Sequence, residues 1–127
     1  MNAVDVALLA AAGGVGAGLR HLLDRALSGR RPADAFPIGI LVVNAIGSFA
    51  LGVLTGLGDV IGAAWPAVIG VGLLGGFTTF STMALDTVRL ARAGRRDRAW
   101  ANLLGTFVLC VLLAGVGLML GSVRPLG

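Results

Sequence analysis

The chain alternates between long stretches without a single charge and short segments dense in arginine. Uncharged runs cover Val6–Leu19 (14 residues), Ala35–Gly58 (24), Val60–Leu85 (26) and Ala99–Val123 (25). At 1.5 Å per residue the last three reach about 36 to 39 Å as helices, enough to cross a hydrocarbon core of roughly 30 Å with some tilt. The first run is extended by Leu22 and Leu23, with Asp5 and Arg20 near the interfaces or in a wet cavity. The pattern predicts an all-α membrane protein of four transmembrane helices, roughly 4–23, 36–58, 62–88 and 99–122, forming one domain over residues 1–127. Trp65 and Trp100 stand at predicted helix starts, as interfacial anchors do. Gly13, Gly14, Gly16 and Gly18 read as a surface for close helix packing.

Composition narrows the class. With 57% hydrophobic and 13% charged residues, the chain has too little polar surface for a soluble domain of its size. The net charge of +4 does not point to nucleic acid, because the arginines lie in short connections between apolar runs and act as anchors at a cytoplasmic face. The first run lacks a basic leader and so reads as a span rather than a secretory signal. A single cysteine, Cys110, leaves neither an internal disulfide nor a cysteine-based metal site. The expected location is the cell membrane.

Inside a membrane the informative residues are the polar ones. Asn44, Ser48 and Gly52 recur at steps of four, forming one stripe on the second helix. Ser48 reads equally as a packing hydroxyl, whereas the amide of Asn44 has two donors and an acceptor to satisfy and is a candidate functional group. Asn102, Thr106, Cys110 and Ala114 repeat the spacing on the fourth helix, where a threonine bonded to its own backbone and a small apolar cysteine are the bland alternatives. The run Gly75-Gly76-Phe77-Thr78-Thr79-Phe80-Ser81-Thr82 concentrates weak helix formers and hydroxyls, and predicts a break in the third helix at mid-membrane. Irregular backbone at that depth persists only when buried in protein or lining a wet cavity, where freed carbonyls commonly hold a cation.

The carboxylates Asp5, Asp24, Asp59 and Asp86 all fall near span ends. A small proton-coupled multidrug-type exporter needs a titratable group inside the membrane, so this placement argues against it. The interior chemistry is amide, hydroxyl and aromatic ring edge, which can replace water around a small anion. The chain offers no nucleophile–base pair or metal-ligand set, which argues against an enzyme.

Three segments carry a resemblance: Gly13-Gly14-Val15-Gly16-Ala17-Gly18-Leu19-Arg20, Phe36-Pro37-Ile38-Gly39 through Asn44-Ala45-Ile46-Gly47-Ser48-Phe49, and Gly75 to Thr82. In order and spacing they resemble the CrcB/Fluc family of fluoride channels over nearly the whole chain. The resemblance implies an antiparallel dimer with two narrow fluoride-selective pores that lower cytoplasmic fluoride. It implies a structural sodium ion held by backbone carbonyls of both subunits, here those of Gly75 and Thr78. It also makes Asn44 the pore asparagine, Arg20 the vestibule arginine and Phe80 the first of two pore phenylalanines, with Ser81 beside it on the anion pathway. Several positions depart from the family. Met83 stands where the second phenylalanine belongs, Ile40 replaces a threonine, and Asp86 replaces a glutamate. Thr106 and Cys110 align loosely with a tyrosine and a serine of the polar track. These losses make one pore of the pair a candidate for degeneracy, and leave a non-conducting membrane scaffold as a further reading.

The connections after the first and third spans, with their flanks, carry nine of the ten arginines, with Arg124 alone on the other side. That bias predicts one fixed orientation, with both termini outside. An antiparallel dimer then requires a second, related protein of opposite bias.

Overall fold

A computed structural model describes residues 2–32, 34–58 and 65–123. Asp59, Arg124 and the start of the third predicted span, 62–64, lie outside the described residues. Among the described residues there is no strand, and four helices are long and apolar enough to cross a membrane: Ala3–Ser28, Ile38–Leu57, Ala67–Arg92 and Arg96–Ser122.

Helix α1 (Ala3–Ser28) begins where a capping box ends the chain's freedom. The Asn2 side chain accepts from Asp5 N at 2.8 Å, and Asn2 N donates to Asp5 Oδ2 at 3.2 Å. Asp5 is thus a helix-end group facing the positive end of the helix dipole, not a charge buried in the span. α1 continues through Asp24 and Arg25, a full turn beyond what the charge pattern predicts. It stops at Gly29, whose φ of 54° belongs to glycine, and Arg31 folds back onto the orphan carbonyls of Leu27 (2.9 Å) and Ser28 (2.7 Å).

Helix α2 (Ile38–Leu57) has no side-chain cap of its own. Its N-terminal N–H at Gly39, which has no partner within the helix, instead donates to Ser28 Oγ (3.1 Å), and Ser28 in turn donates to Asp24 Oδ1 (3.1 Å). The end of α1 therefore supplies the missing cap of α2.

The third span is two helices. α3 covers 67–77, with wide π-helical turns over Ala67–Leu74 closed by Gly75–Phe77. Thr78 (φ −78°, ψ 155°) and Thr79 (φ −150°, ψ 119°) are extended, and α4 (Phe80–Arg92) then begins with Thr79 as its N-cap, Oγ1 accepting from Thr82 N at 3.1 Å. Helix α5 (Arg96–Ser122) includes a π-helical stretch over Ala101–Gly105.

Two glycine-lined seams hold the bundle. α2 lies along α5, and α1 lies along α3. In the first seam a Cβ at Gly52 would meet the carbonyl oxygen of Ala114, and one at Gly117 would meet that of Phe49. In the second, a Cβ at Gly16 would meet Leu73 O and one at Gly76 would meet Gly13 O. Backbones this close gain dispersion contacts that bulkier side chains would prevent, which drives helix association where no hydrophobic effect operates. Of the glycines singled out on α1, Gly14 and Gly18 have open space beside them and take no part.

Candidate functional site

The polar stripes of α2 and α5 face the break between α3 and α4. Together they line a cleft of about 250 Å³: Asn44 and Ser48 from α2, Thr78 and Thr79 from the break, Phe80 and Met83 from α4, and Thr106, Phe107 and Cys110 from α5. Five of the six residues expected on an anion path meet here. Ser81 lies outside the lining, its hydroxyl 3.3 Å from Thr79 Oγ1. Arg20 sits half-buried on α1 and does not line the cleft.

Two buried amides fasten α4 at its start. Asn44, 7% exposed, grips the backbone of one residue at two points: Nδ2 donates to Thr79 O (2.9 Å) and Oδ1 accepts from Thr79 N (2.8 Å). One N–H of its amide stays unassigned. Asn102, 1% exposed, donates from Nδ2 to Met83 O (3.2 Å) and Thr87 Oγ1 (2.9 Å), while Oδ1 accepts from Thr106 Oγ1 at a long 3.4 Å. Thr106 therefore bonds to a side chain rather than to its own helix backbone, and Asn102 stands directly behind two cleft residues.

Ser48 differs from its neighbours. Thr55, Thr78, Thr87 and Ser122 send their hydroxyls to the carbonyl four residues earlier, but Ser48 makes no hydrogen bond among the described residues. Its O–H is available to whatever occupies the cleft, as is the second N–H of Asn44. On the sequence, Ser48 reads as a packing hydroxyl at least as readily as a group on the path. The signal was there, since Ser48 lies one turn from Asn44 on the same stripe. Phe107 was missed. It follows Thr106, and its exposed ring lines the cleft together with that of Phe80.

The two phenylalanine positions of α4 have different surroundings. Phe80 is 75% exposed, whereas Met83, though it borders the cleft, is 5% exposed and belongs to the core. Ile40, where the resemblance implies a threonine, is buried too, as a packing residue.

The break also redirects backbone donors. In a continuous helix Thr79 N–H would bond to Gly75 O and Thr82 N–H to Thr78 O. Here the first goes to Asn44 Oδ1 and the second to Thr79 Oγ1. The carbonyls of Gly75 and Thr78 are thereby both released, a donor set of uncharged oxygens that suits a hard monovalent cation.

A separate polar cleft of about 170 Å³ opens at the arginine-rich end, lined in part by Asp24, Ser28, Arg31, Asp86 and Arg89. Asp86 pairs there with Arg89 at 3.3 Å and does not line the first cleft. At the same end Arg98 Nη1 donates to Asp34 O at 2.5 Å, which ties the connection after α1 to the start of α5.

Apolar helices around a cleft of uncharged hydrogen-bonding groups define a multi-pass membrane protein with a polar site between its helices. Its family follows from comparison with known proteins. The family described as "CrcB-like protein, Camphor Resistance (CrcB)" matches residues 7–118, and the chain belongs to it. It is 43% identical over 122 residues to fluoride-specific ion channel FluC 1 of Rubrobacter xylanophilus, covering 96% of this chain and 97% of that one. It is 45% identical over 125 residues to fluoride-specific ion channel FluC 2 of Haloarcula marismortui, covering 98% of each. With fluoride-specific ion channel FluC of Pyrococcus horikoshii it shares 37% over 123 residues, 94% and 98% of the two chains.

Proposed function

We propose that this chain is a subunit of a passive, fluoride-specific channel that lowers cytoplasmic fluoride. The observation that carries the reading is the cleft, where an amide N–H, a free serine hydroxyl and two exposed aromatic rings converge with no fixed positive charge. Such groups replace the water shell of a small anion while leaving it free to depart. The relatives' printed activity supports the same substrate. The cleft's lining includes no carboxylate to carry a coupling proton, which weighs against an exporter.

The working channel is an antiparallel dimer with its helix breaks at mid-membrane, and the Gly75 and Thr78 carbonyls of both subunits hold a sodium ion between them. The release of those two carbonyls supports this assignment. The bound cation would supply fixed positive charge near the anion path. In the expected test, fluoride leaves loaded proteoliposomes down its gradient without a proton gradient, while chloride barely moves. Obligate coupling to protons would sink the channel reading.

The α4 pair gives a second test. Phe80→Ala removes an exposed ring from the cleft and is expected to cut fluoride flux tenfold or more while leaving thermal stability within about 0.5 kcal/mol. Met83→Ala empties a core position and is expected to cost about 2 kcal/mol or more of stability, with the milder effect on flux through molecules that fold. Equal and complete loss of flux from both, at equal stability, would remove the distinction.

A further inference from the structure

We propose that Asn44, besides lining the anion cleft, is the positioning residue that keeps the third helix broken and the Gly75 carbonyl free for the cation. The proposal rests on the reading of Gly75 and Thr78 as cation ligands.

Thr79 N–H has two acceptors within its conformational reach. One is Gly75 O, which it would take in a continuous helix, and the other is Asn44 Oδ1, which it takes here at 2.8 Å. The same amide donates to Thr79 O at 2.9 Å, so the side chain satisfies both polar groups of an extended residue. A buried extended backbone with unpaired N–H and C=O groups is strongly disfavoured in an apolar setting. With Asn44 present the extended state has both bonds. Without it, the helical state is the only one that gives Thr79 N–H a partner. Neither Thr78 nor Thr79 precedes a proline, so the helical region is open to both. Removing the amide therefore favours healing of the break, and healing consumes Gly75 O.

Asn44 sits on α2, on the wall of the anion cleft. One residue thus links the two sites, and the integrity of the cation site depends on a side chain that the anion passes.

The test uses the assembled channel in lipid nanodiscs, with its companion subunit if one is required for assembly. Thermal unfolding is followed while sodium chloride replaces N-methylglucamine chloride at constant ionic strength. Fluoride flux is measured on the same preparations. The wild type is expected to gain stability saturably with sodium. Asn44→Leu is expected to raise the half-saturating sodium concentration at least tenfold and to abolish flux. Asn44→Asp keeps an acceptor for Thr79 N–H, so it is expected to retain sodium stabilisation while losing flux through anion repulsion. That split separates cation loss from cleft damage. Should Asn44→Leu fail to assemble, Asn44→Ser, too short to bond both groups of Thr79, is read in the same way. An unchanged half-saturating sodium concentration in either shortened or apolar variant overturns the proposal. So does a wild type whose stability ignores sodium. A wild type stabilised by sodium but impermeable to fluoride would instead overturn the channel reading and leave this linkage standing.

Discussion

Expressed without a companion and carrying a reporter at its C-terminus, the chain is expected to place that reporter outside in essentially every molecule and to conduct no fluoride. The basis is an asymmetry of nine arginines against one across the two sides of the four spans, in a protein without lysine. Positive residues in short connections set orientation, and aspartates contribute little. Setting Arg20 aside as a vestibule residue leaves eight against one, which changes nothing. The Arg98–Asp34 contact agrees that the connections after the first and third spans share one end of the bundle. A subunit locked in one orientation cannot form an antiparallel pair with a copy of itself. Flux should therefore appear only on co-expression with a family member of opposite arginine bias. Relatives bearing numbered names, FluC 1 in Rubrobacter xylanophilus and FluC 2 in Haloarcula marismortui, fit organisms that hold more than one such chain. A mixed reporter signal, or full flux from this chain by itself, would defeat the two-protein assembly.

Much of the fold was legible because a membrane leaves few options. Charge-free runs long enough to span must be helices, and their ends follow from where charges resume. The break was legible for a related reason, since two glycines beside a cluster of hydroxyls cannot propagate a strong helix. What the sequence hid were partners. Nothing in the spacing of Asn102 says that its amide reaches Met83 O and Thr87 on α4, so its stripe stood open between an ion path and plain packing. Asn44 was readable as an unusual amide, but not as the group that replaces a helical acceptor for Thr79. Met83 was readable as a missing ring, but its burial was not. Asp5 could be read as lying near an interface or in a wet cavity, and its capping bonds with Asn2 at the start of α1 agree with the first.

The glycine pattern misled for a geometric reason, and this yields the sharpest mutational contrast. Glycines crowded at 13, 14, 16 and 18 span more than one face at 100° per residue, so they cannot all meet the same neighbour. Gly13 and Gly16, three apart, face α3, whereas Gly14 and Gly18, four apart, look elsewhere. The more extensive seam is the one not read as a packing surface, where Gly52 and Gly56 on α2 meet the stretch of α5 that ends in Gly117 and Gly121. A Cβ at Gly52 would strike Ala114 O and come within 2.9 Å of Ala114 C, and one at Gly117 would strike Phe49 O and come within 2.9 Å of Val53 N. These are backbone atoms within helices, so no side chain can swing aside. Gly52→Val and Gly117→Val must push the two helices apart, at a cost of about 3 kcal/mol or more, beyond the usual range for overpacked cores. Separation also splays Asn44 and Ser48 from Thr106 and Cys110, so both variants are expected to lose fluoride flux at least tenfold and to unfold at markedly lower temperature. Gly14→Val meets open space, and valine is the better helix former by about 0.3–0.5 kcal/mol, so its stability should hold or rise slightly. Thermal unfolding of the three variants in one lipid decides the matter. Comparable losses at Gly14 and Gly52 would show that the α2–α5 seam is not what holds the cleft together.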